Sequence, residues 1–293
     1  MTTSRLPDDA TIGGVRLRVR DLDAPARFYG ELLGLAASPA GADSVAWSNR
    51  AGEPGFIRLD ADSRTLPRPD SVFGVYHYAI LYPDRASLAV TLRRLIAARW
   101  PFTGFADHGV SEAAYLDDPD GIGVELYADR PRERWPRQGD AIAMYTQPLD
   151  LDNLLAEADR TDATALEQPP GKGFHGPATR ARIGHVHLHV RDLARAAAFY
   201  IDVLGLDSMA ELPGARFLSA GGYHHHLGLN VWARREPPED VAGLLEWVIE
   251  VGAGGYAATV DRVRRAGVAV EEFDRSCRFA DPDGNAIVVR QSG

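Results

Sequence analysis

Apolar and polar residues alternate at two widely separated places in the chain. Val15 to Val19 read VRLRV, and Val186 to Val190 read VHLHV. A period of two predicts a strand with one buried face. Each run is followed by an aspartate, Asp21 or Asp192, whose carboxylate can accept hydrogen bonds from the free N–H groups of a helix start. Apolar residues then fall at helical spacing, in the second copy at Leu193, Ala197, Tyr200 and Leu204. Gly34 and Gly205 stand where a helix would end in a left-handed cap. The two segments, VRLRVRDLDAPARFYGELLGL and VHLHVRDLARAAAFYIDVLGL, are copies of one unit. A second pair, LDDPDGIGVELYADR and FADPDGNAIVVR, follows at a distance, its Asp-Pro-Asp-Gly predicting a tight turn between strands. Gly221 and Gly222 mark another hairpin turn.

Fainter copies lie between these, starting at VYHYAILY and LLEWVIEV. The expected architecture is therefore α+β, with four βαβββ modules at 12–60, 75–128, 183–235 and 244–290. Two modules fall in 1–130 and two in 183–293, separated by a connector, 131–182, rich in proline and charge. The connector reads as linker apart from one short helix from Asp150 to Ala158.

Composition narrows the function. The chain has 293 residues and a formal net charge of -9, which disfavours a nucleic-acid partner, since such partners need a basic face. No apolar run reaches the roughly 20 residues needed to span a bilayer, and 1–14 lacks the segments of a signal peptide. A cytoplasmic protein without a membrane partner is the expectation. The single cysteine, Cys277, can form no internal disulfide and reads as a packing position. Nine histidines are present, six of them between Gly184 and Leu227. Metal ligation, proton transfer and surface composition compete to explain that cluster.

The motifs IGHVHLHVRDL, DHGVSEAAYLDDPDG and GGYHHHLGLNVW, together with the four-module length, resemble the vicinal-oxygen-chelate superfamily, and within it the catechol 2,3-dioxygenase-like branch. The resemblance covers nearly all of the chain except the connector. It implies two cupped mixed β-barrels with flanking helices, and a divalent metal held by first-strand and last-strand residues. The first-strand position reads Gly14, His77, His185 and Glu246 in the four modules. The last-strand position reads Glu125 in module two and Val288 in module four. Aligning NVWAR with ELYAD places Asn230 there in module three. The expected ligand set is thus His77, Glu125 and His185, two imidazoles and a carboxylate, which suits Fe(II) and also Mn(II). Because this set straddles the halves, its barrel should join module two to module three, within one chain or between chains.

The resemblance further implies aromatic hydrocarbon catabolism: a catecholic small molecule and O2 as partners, extradiol ring cleavage as the reaction, and a homo-oligomer. Such chemistry needs a non-ligand histidine to move protons. Strand alternation places His224 and His226 on one face and His225 on the other, and the resemblance, whose family carries its acid-base His in a similar His-His segment, maps that role onto His226. Tyr115, before Glu125, and His108 are expected to orient substrate. His187 and His189 read as polar barrel wall, and His175 as a surface residue of the connector. Two other readings are a glyoxalase-type isomerase or lyase working without oxygen, and a non-enzymatic small-molecule-binding protein of resistance type. A neutral Asn230 in place of a fourth ligand favours the oxygen-using reading over the isomerase.

Overall fold

The computed structural model describes residues 5–139, 141–160 and 180–292; His175 and the middle of the connector lie outside them. Module one supplies β1 (Thr11–Val19), β2 (Ala36–Gly41), β3 (Ser44–Ser48) and β4 (Ile57–Ala61). Module two supplies β5 (Gly74–Tyr82), β6 (Phe102–Asp107), β7 (Ser111–Asp117) and β8 (Gly123–Asp129). Among its described residues the connector contributes the two-residue strand pair β9 (Arg137–Gln138) and β10 (Ala141–Ile142). Module three supplies β11 (Arg182–His189), β12 (Asp207–Leu212), β13 (Ala215–Ser219) and β14 (Leu227–Asn230). Module four supplies β15 (Gly243–Val251), β16 (Glu271–Phe273), β17 (Ser276–Ala280) and β18 (Ala286–Gln291).

These strands form two curled eight-stranded sheets, in the α+β class expected. One sheet runs β16-β17-β18-β15-β1-β4-β3-β2 and joins modules four and one. The other runs β12-β13-β14-β11-β5-β8-β7-β6 and joins modules three and two within one chain. The antiparallel seams are β1 with β15 and β5 with β11. Each module closes on itself by a parallel pair, such as β5 with β8 or β11 with β14.

The helices form where the apolar spacing placed them. The Asp192 carboxylate accepts from the Arg195 N–H at the start of Leu193–Ala198, which continues as a π-helical turn over Phe199–Leu204 to a left-handed Gly205. Asp21 accepts from the N–H groups of Asp23 and Ala24 in the first copy. The two repeated motifs meet in space. Tyr29 of module one donates to Asp118 in the Asp-Pro-Asp-Gly turn of module two, at 2.9 Å, and Tyr200 of module three donates to Asp281 of module four, at 2.7 Å. Each contact ties a helix of one sheet's module to a hairpin of the other sheet. Burial pushes the Asp118 carboxyl up to about 7. One hydrophobic core, containing Leu17, Ile57, Tyr78, Leu188 and Trp247, runs through both sheets.

Cys277 is buried on β17. Among the described residues no helix is long and apolar enough to cross a membrane. The connector is more than a linker. Its helix Leu151–Leu155 is capped by Asp150 and anchored by Arg85, which reaches Glu112, Asn153 and Glu157. Backbone bonds between Asp107 and Gln147 lay the preceding segment along the end of β6.

Candidate metal centre

His77 sits on β5, Glu125 on β8 and His185 on β11, so the β5–β11 seam brings the three together. A bulge at Gly184 precedes His185; a Cβ there would lie 1.8 Å from the Tyr127 hydroxyl, so the position accepts only glycine. Tyr127 thereby packs its ring 5.0 Å from that of His185.

All three residues are buried, at 5%, 3% and 1% exposure. His77 Nε2 lies 3.0 Å and His185 Nε2 2.9 Å from the same Glu125 oxygen, Oε2, and the two nitrogens are 3.4 Å apart. Three donors with such separations can occupy one face around an ion at roughly 2.0–2.2 Å from each. Among the described residues this is the one cluster of His, Cys, Asp or Glu side chains with that convergence. Burial raises the Glu125 carboxyl, but the neighbouring imidazoles, His185 foremost, outweigh it and hold the group well below the ordinary range. Burial lowers His77 against the pull of Glu125. An ionised carboxylate beside a neutral imidazole is the state in which both bind metal. The donor set therefore fits a divalent cation.

The register of the parallel pairs corrects the module-three alignment. On β5 and β8, Ala79 pairs with Glu125, two residues beyond His77. On β11 and β14, His187 pairs with Gly228, two residues beyond His185. The counterpart of Glu125 is therefore Gly228, not Asn230. A Cβ on Gly228 would come 2.7 Å from the His187 ring, so the imidazole fills the space a fourth ligand would need. Asn230 instead bridges His187, 2.9 Å from Nδ2, and His189, which contacts its Oδ1.

A cavity of about 250 Å³ opens on this cluster. His77, Glu125, Tyr115, His108, His187 and His225 give it a polar end, while Ala106, Val110, Met144, Leu212, Phe217 and Trp232 give apolar walls. A second cavity of about 360 Å³, toward Arg68, shares Tyr76, His77, Tyr115 and Trp232 with it but not Glu125. Tyr115 and Glu125 are cross-strand neighbours. The Tyr115 hydroxyl lies 2.7 Å from His108 Nε2, and His108 Nδ1 lies 3.0 Å from the Tyr145 carbonyl. A carbonyl only accepts, so Nδ1 carries the proton of a neutral His108 and Nε2 accepts from Tyr115. Burial, reinforced by the Glu125 charge, raises the Tyr115 phenol well above its ordinary value.

His226 does not join this group. Residues 221–226 form a turn at the glycine pair followed by irregular chain, and β14 begins only at Leu227, so strand alternation does not govern the histidine run. His226 faces a separate cavity with Asp8, Asp9, Arg132 and Arg182, and its Nδ1 lies 2.9 Å from the Ser219 hydroxyl. Burial pushes it down to about 3. His225 is the residue turned into the metal-site cavity, its ring centroid 4.0 Å from that of His185. Met144, Tyr145 and Thr146 of the connector also line the cavity, and no motif signalled them.

The sequence pattern of the Glyoxalase/Bleomycin resistance protein/Dioxygenase superfamily matches residues 11–126 and 182–289. The chain is 39% identical over 290 residues to a protein of Bacillus subtilis (strain 168) named catechol-2,3-dioxygenase, covering 96% of this chain and 97% of the relative. A crystal structure from Bacillus subtilis subsp. subtilis str. 168 superposes with a TM-score of 0.68 at 15% identity, covering 98% of this chain and 86% of the other. Glyoxalase I from Zea mays superposes with a TM-score of 0.57 at 16% identity, covering 97% and 92%. Both structural likenesses concern the fold alone.

Proposed function

Because the chain belongs to the glyoxalase/bleomycin resistance protein/dioxygenase superfamily, we propose that it is an extradiol ring-cleaving dioxygenase. It opens catechol or a substituted catechol with O2, using Fe(II) held by His77, Glu125 and His185. The observation that carries this reading is the three-donor face whose fourth position is closed to any ligand by Gly228 and His187. Two imidazoles and one carboxylate on one face leave coordination positions open for a diol and for dioxygen. The name of the Bacillus subtilis relative supports the same choice.

The bound ion would supply Lewis acidity and a meeting point for the two substrates. The remaining work belongs to the protein. The apolar walls hold an aromatic ring and keep water from the reacting carbons. Tyr115 and His108 form one hydrogen-bonded unit beside Glu125, placed to orient a substrate oxygen. His225, rather than His226, is positioned to take a proton from a catechol hydroxyl and return it later in the reaction. Both oxygen atoms of O2 enter the product, so no external reductant is required.

The test is oxygen uptake by iron-loaded protein across a panel of catechols. One O2 consumed per catechol, with a yellow ring-opened product, is expected. No uptake with any catechol would overturn the proposal, and turnover of a thiohemiacetal substrate under argon would replace it with an isomerase.

A further inference from the structure

His224 belongs to neither the ligand set nor the cavity lining, yet it is completely enclosed behind His225. Its Nε2 lies 2.8 Å from Asp129 Oδ1, and its Nδ1 lies 2.8 Å from His225 Nδ1. The second Asp129 oxygen accepts from the Tyr223 hydroxyl at 2.9 Å, and Tyr223 lies 2.8 Å from the Tyr127 hydroxyl. Since Tyr223 spends its proton on Asp129, Tyr127 is the donor in that last contact. Trp135 covers the assembly, its ring 5.3 Å from that of His224.

Proton bookkeeping fixes the directions. A carboxylate can only accept, so His224 Nε2 carries a proton and, in the neutral ring, His224 Nδ1 is a lone pair. The contact between the two Nδ1 atoms then requires the proton to sit on His225. His225 Nε2 has no hydrogen-bond partner among the described residues, and the ring lines the cavity. We infer that His224 and Asp129 are positioning residues that hold His225 in its Nδ1–H tautomer, leaving Nε2 as an open base toward the substrate. This rests on the ring-cleavage reading of the site. When a catechol O–H bond breaks, its proton forms the new N–H bond at His225 Nε2 and the electron pair stays on the substrate oxygen. The arrangement follows the logic by which a buried carboxylate orients a catalytic imidazole, extended by one ring.

The experiment uses the full chain loaded with diamagnetic Zn(II) for long-range 1H–15N correlation spectra, and the iron-loaded chain for kinetics. The wild type is expected to show His225 protonated at Nδ1 and bare at Nε2. His224→Phe removes the acceptor; the tautomer preference should be lost and kcat should fall roughly 10–100-fold, with KM and metal content unchanged. His224→Asn, whose amide oxygen can accept from Nδ1–H, should restore the tautomer and part of kcat. If His224→Phe does not fold, Asp129→Asn is read in the same way, with a smaller fall. A wild-type His225 protonated at Nε2, or a tautomer unmoved by His224→Phe, overturns the inference. Loss of metal in step with kcat also overturns it. Absence of O2 uptake by the wild type would instead sink the ring-cleavage reading, which the tautomer spectra do not depend on.

Discussion

The two sheets share one topology and put different chemistry at the same places. In the sheet of modules two and three, His187 sits opposite His77 across the antiparallel seam, and His77 converges with Glu125 and His185. In the sheet of modules one and four, Arg16 sits opposite Glu246 at the equivalent pair. Arg16 and Arg58 both pair with Asp60, and Arg278 joins Glu246 at 3.2 Å. The first-strand position of module one is closed as well, since a Cβ on Gly14 would lie 2.7 Å from the Phe56 carbonyl oxygen. One sheet thus converges three potential ligand atoms behind a cavity, while the other places partly exposed ion pairs at the equivalent positions. The fold supplies a frame for ligands, and burial and side-chain choice decide whether the frame becomes a metal centre.

Loss of the centre is the largest effect expected. Glu125→Ala or His185→Ala should each abolish iron retention through desalting and reduce O2 uptake to background, as read by metal analysis and an oxygen electrode. Removing Glu125 takes away the one carboxylate that, among the described residues, converges with the two imidazoles, and removing His185 leaves two donors where three converged. Stoichiometric iron in both variants would show that the ligands lie elsewhere.

A smaller effect tests why the set stops at three. Gly228→Ala drives a methyl group into the His187 ring at a buried site. Overpacking of this kind costs roughly 1–3 kcal/mol, to be read as a lower urea midpoint. In a His187→Ala background the same substitution should cost almost nothing, because the space it needs has been vacated. An equal cost in both backgrounds would mean that His187 does not close the fourth position.

The repeats, read with the family resemblance, made the pairing of module two with module three and the convergence of His77, Glu125 and His185 legible, because the first-strand and last-strand positions can be followed from one module to the next. Strand period and helix spacing also anticipated the Asp192 cap and the left-handed Gly205. The histidine run was not legible to the same depth. Choosing His226 over His225 rested on the resemblance and on carrying strand alternation back through the run, whereas residues 221–226 lie outside the strands. Taking Asn230 as the module-three counterpart of Glu125 slipped the register by two, which preserves the strand face and so leaves no trace in an alternation pattern. The connector residues Met144, Tyr145 and Thr146 reach the cavity through tertiary docking, for which no local pattern exists.

The smallest effect belongs to the other sheet. Arg16 and Glu246 lie 3.7 Å apart with side chains 37% and 19% exposed, and each has another partner of opposite charge. Solvent screens such a pair, and measured couplings for exposed ion pairs run to roughly 0.2–1 kcal/mol. A double-mutant cycle of Arg16→Gln and Glu246→Gln, followed by urea unfolding, should return a coupling in that range that shrinks in high salt. Iron content and kcat should stay at the wild-type level in all three variants, since the pair lies in the sheet without the ligand set. A coupling of several kcal/mol would mean that the ion pairs are desolvated and hold their sheet as firmly as a metal could. Loss of iron in the double variant would show that the two sheets do not act separately, and the contrast between them would then describe sequence alone.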